Sequence, residues 1–325
     1  MIKLNSLQYQ VLEDSFKLND FSLDALVGND NVDALYTEYK KMFGFKKLKT
    51  FAFSKEGFLG LFLELKGKIA ISLGESLALI EAGKLYESLG FEVLWLDLKK
   101  DGKVNLSTLE KNNIDFLFLS SYVMDTFVKT DLEEAKGITS AKIISNASAN
   151  FDSKSDIIYF DLYKLAGFSL SSVLLFNNEE FELLPLGSLD TIAVKLCIDS
   201  LKSQEFNHQM KGIFLEKLKE VFKEDIYFFV KPEDTFDFSL HFALKGIKAR
   251  EFIRTLALNK IFLTNGEGCS LGLSKPSRII QAMGYDETTS RNAINLSFTE
   301  EIELSEIDKL VNLMYLKYKQ IRMLS

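Results

Sequence analysis

Residues 68–98 read KIAISLGESLALIEAGKLYESLGFEVLWLDL, and the reading of this stretch decides the fold. KIAISL is a short apolar, strand-like run. SLALIEAGKLYESLG carries apolar residues at helical spacing and stops at Gly90. FEVLWLDL is a second strand. Working outward, NLSTLEKN is a short helix, IDFLFLSS a strand and TDLEEAKGI a helix, and KIISN, DIIYFDL and SSVLLFN are strands. Strands alternating with helices over 69–176 imply an α/β sheet, largely parallel. Such sheets bind ligands beyond the carboxyl ends of their strands. Those ends carry Ser72, Ser120, Ser121, Asn146 and Asp161, a polar set suited to a site.

From about residue 188 the pattern changes. LDTIAVKLCIDSLKSQ and HQMKGIFLEKLKEVFKED are helical stretches almost back to back. Strands IYFFV and FSLHFAL, helix KAREFIRTLAL, strand KIFLT, a glycine-rich loop, helix PSRIIQAMG, strand AINLSF and the amphipathic helix EIDKLVNLMYLKYKQIRM follow. The expected organisation is an N-terminal arm over 1–40, a large α/β domain over 41–204 and a small α+β domain over 205–325.

The composition narrows the function classes. The chain has 325 residues, 47% hydrophobic and 26% charged, with three prolines and a net charge of -7. That is ordinary for a globular protein and supplies no global field for nucleic acid or an anionic membrane. No apolar run approaches the ~18 residues of a membrane span. MIKLNSLQYQVLEDSF lacks the apolar run and cleavage site of a signal peptide, so the chain is expected in the cytoplasm. No GxGxxG or P-loop sequence is present. Two histidines, His208 on a surface helix and His241 in a strand, set no metal spacing, and no metal is expected. The basic clusters in FGFKKLKT and ELKGKIA read as solvated faces.

Two residues stand out chemically. The chain has two cysteines, too few for a disulfide framework. Cys197, in AVKLCIDSL, reads as buried packing. Cys269 sits in TNGEGCSLGLSKPSRII among Gly266, Gly268 and Gly272. That loop is either a surface turn or an arm that delivers a nucleophilic thiol. Lys164 follows the strand DIIYFDL. A lysine there is either a solvated surface group or one that forms a Schiff base with an aldehyde cofactor.

Taken in order, these segments resemble the cysteine desulfurase branch of the class V aminotransferases over roughly residues 40–320. Those are fold-type-I enzymes that use pyridoxal phosphate (PLP). TNGEGCSLGLSKPSRIIQAMGYDETTSRNAINLSFTEEIELSEIDKLV looks like the family's cysteine loop with its closing helix, strand and helix. DIIYFDLYKLAGFSLSSVLLF looks like the strand, cofactor lysine and returning strand. GSLDT resembles the family's Gly-Thr segment. The resemblance implies that Lys164 forms the Schiff base and that Cys269 takes the substrate sulfur as a persulfide. It places Asn146 at the ring nitrogen, Ser188 at the phosphate, Ser76 at the ring-stacking histidine and Tyr163 at the histidine before the lysine. It also implies a homodimer, a small amino-acid substrate such as cysteine, and a sulfur-acceptor protein.

The same alignment marks departures. Asn146 replaces an aspartate, so the charge that keeps the ring nitrogen protonated is missing. Ala149 replaces a glutamine, and Asn295 replaces the arginine that pairs with the substrate carboxylate. Asp161 stands where a serine binds phosphate, and like charges repel. The phosphate-cradling segment is reduced to FSKEGFLG. Two expectations follow: a divergent PLP enzyme, or a catalytically degenerate paralogue kept as a binding or sulfur-relay module.

Overall fold

Strands between Lys47 and Phe176 hydrogen-bond into one seven-stranded sheet in a computed structural model that describes residues 2–4, 30–167, 171–181, 189–266 and 275–324. The strands in chain order are β1 (Ile2–Lys3), β2 (Lys47–Ala52), β3 (Ile69–Ser72), β4 (Val93–Leu96), β5 (Phe116–Phe118), β6 (Lys142–Asn146), β7 (Ile157–Tyr159), β8 (Ser171–Phe176), β9 (Ile226–Tyr227), β10 (Ser239–Leu244), β11 (Ile261–Phe262) and β12 (Ala293–Ser297). The helices are α1 (Asp30–Phe43), α2 (Lys55–Glu64), α3 (Leu77–Ser88), α4 (Leu132–Ile138), α5 (Leu162–Ala166), α6 (Thr191–Ser203), α7 (Met210–Phe222), α8 (Ala249–Ala257), α9 (Arg278–Ala282), α10 (Glu287–Ser290) and α11 (Leu304–Leu324).

The large sheet runs β2-β8-β7-β6-β5-β3-β4. Strands β7, β6, β5, β3 and β4 pair in parallel, while β8 is antiparallel to both β7 and β2. The alternation read in 69–176 is thus realised, with one reversed strand. The order doubles back at β3, which has β4 on one side and β5 on the other. Doubly wound sheets place ligands beyond the carboxyl ends at such a point.

Both faces of this sheet are covered, which is why its central strands are continuous apolar runs. Alternate residues serve opposite faces. Ile69, Ile71, Phe118, Ile144 and Leu174 pack under α2 and α3. Ile158, Val173 and Leu175 pack under α1 and α6 with Tyr39, Val194 and Ile198. Each fully buried side chain of this kind contributes roughly 1.5–3 kcal/mol. Helix α3 lies so close to the sheet that a Cβ on Gly83 would come within 2.6 Å of the Trp95 ring. A larger residue there would push the helix off β3 and β4.

The second unit is built on an antiparallel sheet, β12-β10-β9, covered by α7 and α11. Strand β1 pairs in parallel with β11, and Leu4 is buried in the same core. The first residues of the chain therefore join the C-terminal unit. Between the units the apolar core is continuous: Tyr122, Phe127 and Val128 pack with Phe229, Val230, Phe238, Ile279 and Met283.

Some local expectations change. The strand expected over IYFFV is only Ile226–Tyr227. His208 lies before α7 and is exposed. Lys49, expected on a solvated face, is 5% exposed and donates to both Glu64 oxygens at 2.6 and 2.8 Å. The partner is on α2, remote from Lys49 in any local pattern. Cys197 is fully buried as expected, and burial pushes its thiol up to about 12. No helix among the described residues is long and apolar enough to cross a membrane.

Candidate functional site

Polar side chains crowd the carboxyl ends of β3, β5, β6 and β7, and one hydrogen-bonded network joins them. At the end of β3, Ser72 Oγ accepts from Gly74 N at 3.0 Å and shapes the turn into Glu75. The Glu75 carboxylate is fully buried. Its Oε1 accepts from Ser120 N at 2.6 Å, and its Oε2 accepts from Ser120 Oγ at 3.0 Å and Tyr159 OH at 3.1 Å. Burial pushes its pKa up to about 7 against these stabilising hydrogen bonds. Ser120 Oγ also accepts from Asn146 N at 2.9 Å. Asn146 Oδ1 accepts from Ser148 N at 2.9 Å and Ser148 Oγ at 2.6 Å, and Ser148 Oγ accepts from Asp161 N at 2.6 Å. Asn146 Nδ2 is buried and has no hydrogen-bond partner among the described residues.

Lys164 is set by a one-turn helix. Asp161 caps α5, accepting from Lys164 N at 3.3 Å, and Gly167 ends it in the left-handed conformation. This brings Lys164 Nζ to 3.7 Å from Asp161 Oδ2 and 3.6 Å from Met124 Sδ. The lysine side chain is 14% exposed and the aspartate 5%, so solvent screens their attraction weakly. Opposite charges about 4 Å apart attract by about 4 kcal/mol at an effective dielectric of ~20, before desolvation is subtracted. The amine faces a pocket lined by Tyr122, Met124, Asp125, Ser148, Ala149 and Gln204, with about 10 Å³ of space, room for one water molecule. Tyr163, on the same helix, is half-buried.

The C-terminal unit bonds to the loop that carries Asp125. Asn295, on β12, donates through Nδ2 to Asp125 O at 2.8 Å and to Ser239 Oγ at 3.3 Å. Asp125 Oδ2 accepts from Ser277 Oγ at 3.1 Å. Arg278, the first residue of α9, donates to Leu73 O at 2.7 Å and to Glu75 O. Asp125 and Phe127 have φ of 61° and 54°. A side chain held in that region costs of order 1–3 kcal/mol, and a bulky one such as Phe is an outlier. His241, opposite Asn295 in the sheet register, is buried with Nδ1 lacking a partner among the described residues, and desolvation pulls its pKa down to about 4.

Lys164 and Asn146, both expected from the sequence, fall in one cluster joined through Ser148. Ser76 spends its hydroxyl on the first turn of α3, accepting from Leu79 N at 3.4 Å. Cys269 and Ser188 lie outside the described residues. Sequence reading missed Glu75, Asp125, Gln204 and Arg278. Glu75 carried a usable signal, because a carboxylate directly after a fully apolar strand and a glycine turn sits over the strand ends. Asp125 carried none, since only its backbone conformation and distant partners single it out. No group of metal-ligating side chains occurs among the described residues.

Solved structures share this fold. A NifS-like protein superposes with a TM-score of 0.77 at 12% identity, covering 98% of this chain and 99% of that one. A NifS-like protein from Rickettsia africae gives 0.71 at 15% identity, covering 98% and 99%. SspA, solved in complex with cysteine, gives 0.70 at 12% identity, covering 92% and 99%. No family model and no curated protein matches the chain. The chain therefore shares the fold of these NifS-like proteins, a large α/β sheet domain followed by a smaller C-terminal α+β unit.

The described residues do not fit PLP as the desulfurase resemblance would hold it. Asp161 sets a carboxylate beside the amine, and Asn295 is committed to Asp125 and Ser239. The orphaned Asn146 Nδ2 could donate to a neutral ring nitrogen but carries no charge to keep that nitrogen protonated.

Proposed function

We propose that this chain is a catalytically degenerate paralogue of the desulfurase-type fold, serving as a binding or sulfur-relay module. The observation that carries the reading is the Asp161–Lys164 pair. It engages the amine in an ion pair that an incoming aldehyde would have to displace before the nitrogen could attack. The replaced positions support it further. Ser76 caps a helix, and Asn295 holds a backbone carbonyl. In the relay form, the Cys269 thiolate attacks the outer sulfur of a partner's persulfide. The S–S bond breaks, the partner thiolate leaves, and Cys269 becomes the persulfide, with no net redox change.

A second reading, a divergent PLP-dependent cysteine desulfurase or aminotransferase, is favoured by one observation. Asn146 Nδ2 is a buried donor with no described partner, at the position facing a cofactor ring in the resemblance. Mass spectrometry of Cys269 separates the two. The relay is expected to load persulfide from a small-molecule persulfide donor, with loading unchanged in Lys164→Ala. Loading that requires cysteine plus PLP, and disappears in Lys164→Ala, would establish the enzyme instead.

A further inference from the structure

We infer that the loop over 232–236 is a monovalent-cation site whose resident cation is the Lys211 ammonium, and that the same oxygens take a free potassium or ammonium ion once that tether is removed. The inference goes beyond the proposed function and does not depend on it.

Lys211 is set against its local surroundings. It lies in the first turn of α7, which carries no acidic side chain there, and a helix start disfavours a cation. What offsets this is remote in sequence. Lys211 Nζ donates to Pro232 O at 2.5 Å, Thr235 Oγ1 at 2.7 Å, Phe236 O at 2.9 Å and Thr235 O at 3.1 Å. An ammonium has three hydrogens, so four oxygens surround its charge rather than match its donors one by one. All four are neutral, and Lys211 forms no ion pair among the described residues. Burial, then the charge of Lys129, pulls its pKa down to about 8, with Asp237 and Glu233 opposing.

The oxygen set identifies the class of cation. Magnesium takes oxygens at about 2.0–2.1 Å and calcium at about 2.3–2.6 Å, with carboxylates among them. Three carbonyls and a hydroxyl at 2.5 to 3.1 Å make a looser, uncharged shell. Carbonyl oxygens of this kind replace the hydration shell of potassium. The loop builds the shell itself: Pro232 opens a single 3-10 turn through Asp234, and Thr235 is 2% exposed. The same loop pairs with the large domain. Lys129 N donates to Asp234 O at 2.9 Å, Phe236 N donates to Phe127 O at 3.2 Å, and Val128 bridges to Thr235. The cation on α7 thus organises the loop against which residues 127–129 pair.

The test empties the shell and offers it free cations. Thermal unfolding of full-length Lys211→Ala, and amide exchange at Lys129 and Phe236, are followed in tetramethylammonium, potassium and ammonium chlorides at equal ionic strength. In tetramethylammonium, which is too large to enter, Tm is expected several degrees below wild type, and about half of that loss should return in potassium or ammonium. Exchange at the two amides should run about tenfold faster than in wild type and slow again with the same two salts. Wild type, with its own cation in place, should unfold within about 1 °C in all three. Lys211→Met keeps the space filled without charge, so it should lose stability and gain nothing from either salt. Equal Tm for Lys211→Ala in the three salts would overturn the site, as would equal rescue of Lys211→Met. If Lys211→Ala does not fold in any salt, Thr235→Val carries the test by removing one oxygen of the shell. Reductive methylation of Lys211 with formaldehyde and a borohydride reagent, timed by peptide mass spectrometry against the exposed Lys40, should then run about fivefold faster than in wild type. An unchanged rate would overturn the site.

Discussion

The two ends of the large parallel sheet treat their polar side chains in opposite ways. At the amino end, an open groove of about 670 Å³ is lined by Lys68, Glu87, Glu92 and Lys111 beside the partly exposed Phe91. At the carboxyl end, Ser72, Glu75, Ser120, Asn146, Ser148 and Asp161 are all buried and bonded to one another or to backbone. Water solvates the first set, so losing one member costs little. The protein itself satisfies the second, so each member is tied to the others. In this fold the carboxyl end is where a ligand belongs. Here the chain's own groups take up hydrogen bonds that a ligand would otherwise accept or donate.

The contrast is broken most directly by truncation at each end. Glu75→Ala strands Ser120 N, Ser120 Oγ and Tyr159 OH, and it is expected to cost about 3 kcal/mol in urea unfolding. Glu92→Ala, in the amino-end groove, is expected to stay within about 0.5 kcal/mol. Equal effects would remove the distinction between the two ends.

Next in size is a pH effect. Glu75 has its folded pKa raised from 4.5 to about 7. It favours the folded state fully below about pH 4.5, and that contribution is lost as pH rises through about 7. Glu75→Gln does not ionise, so it should gain on wild type by roughly 2–3 kcal/mol between about pH 5 and pH 8. A constant gap between the two would contradict a buried, titrating Glu75. His241 works the other way. With its pKa lowered from 6.5 to about 4, it contributes stability above about pH 6.5 that is lost as pH falls through about 4. The two slopes oppose each other where their windows overlap, so the difference curve is the informative measurement.

A smaller effect tests Asp161. Asp161→Ser keeps a cap for α5 but removes the charge beside Lys164. Lys164 methylation is expected to rise severalfold, and PLP binding in a titration should tighten, because repulsion of the phosphate is gone. No change in either would mean that the pair does not govern the amine. The smallest signal belongs to Cys197. Its buried thiol should stay unalkylated until the protein unfolds, so fast alkylation of native protein should map to Cys269, the other cysteine of the chain. Mapping it to Cys197 would show that the α6 packing opens readily.

The parallel sheet was legible because KIAISL, IDFLFLSS and DIIYFDL have apolar centres with polar residues only toward their ends, and helices with visible start and stop signals separate them. The helix stop at Gly90 and the position of Lys164 after DIIYFDL were equally local. What escaped was every feature made by distant partners. Lys49 looked like one of a run of surface lysines until Glu64 on α2 was seen against it. Ser76 aligned with a ring-stacking residue, yet its hydroxyl was free to cap the helix that begins one residue later. Asp125 meets Gly266, Ser277 and Asn295 only after the C-terminal unit folds back onto the loop. Periodicity reports which face a residue is on, and it carries no information on which remote group satisfies it.

On the proposed function, the Lys164 amine is held by Asp161 and does not form a Schiff base. Purified protein is incubated with PLP, reduced with borohydride and mapped by mass spectrometry. The expected result is colourless protein with no pyridoxyl adduct on Lys164. A band near the visible edge that borohydride bleaches, with the reduced adduct on Lys164, would contradict the claim and restore the enzyme reading.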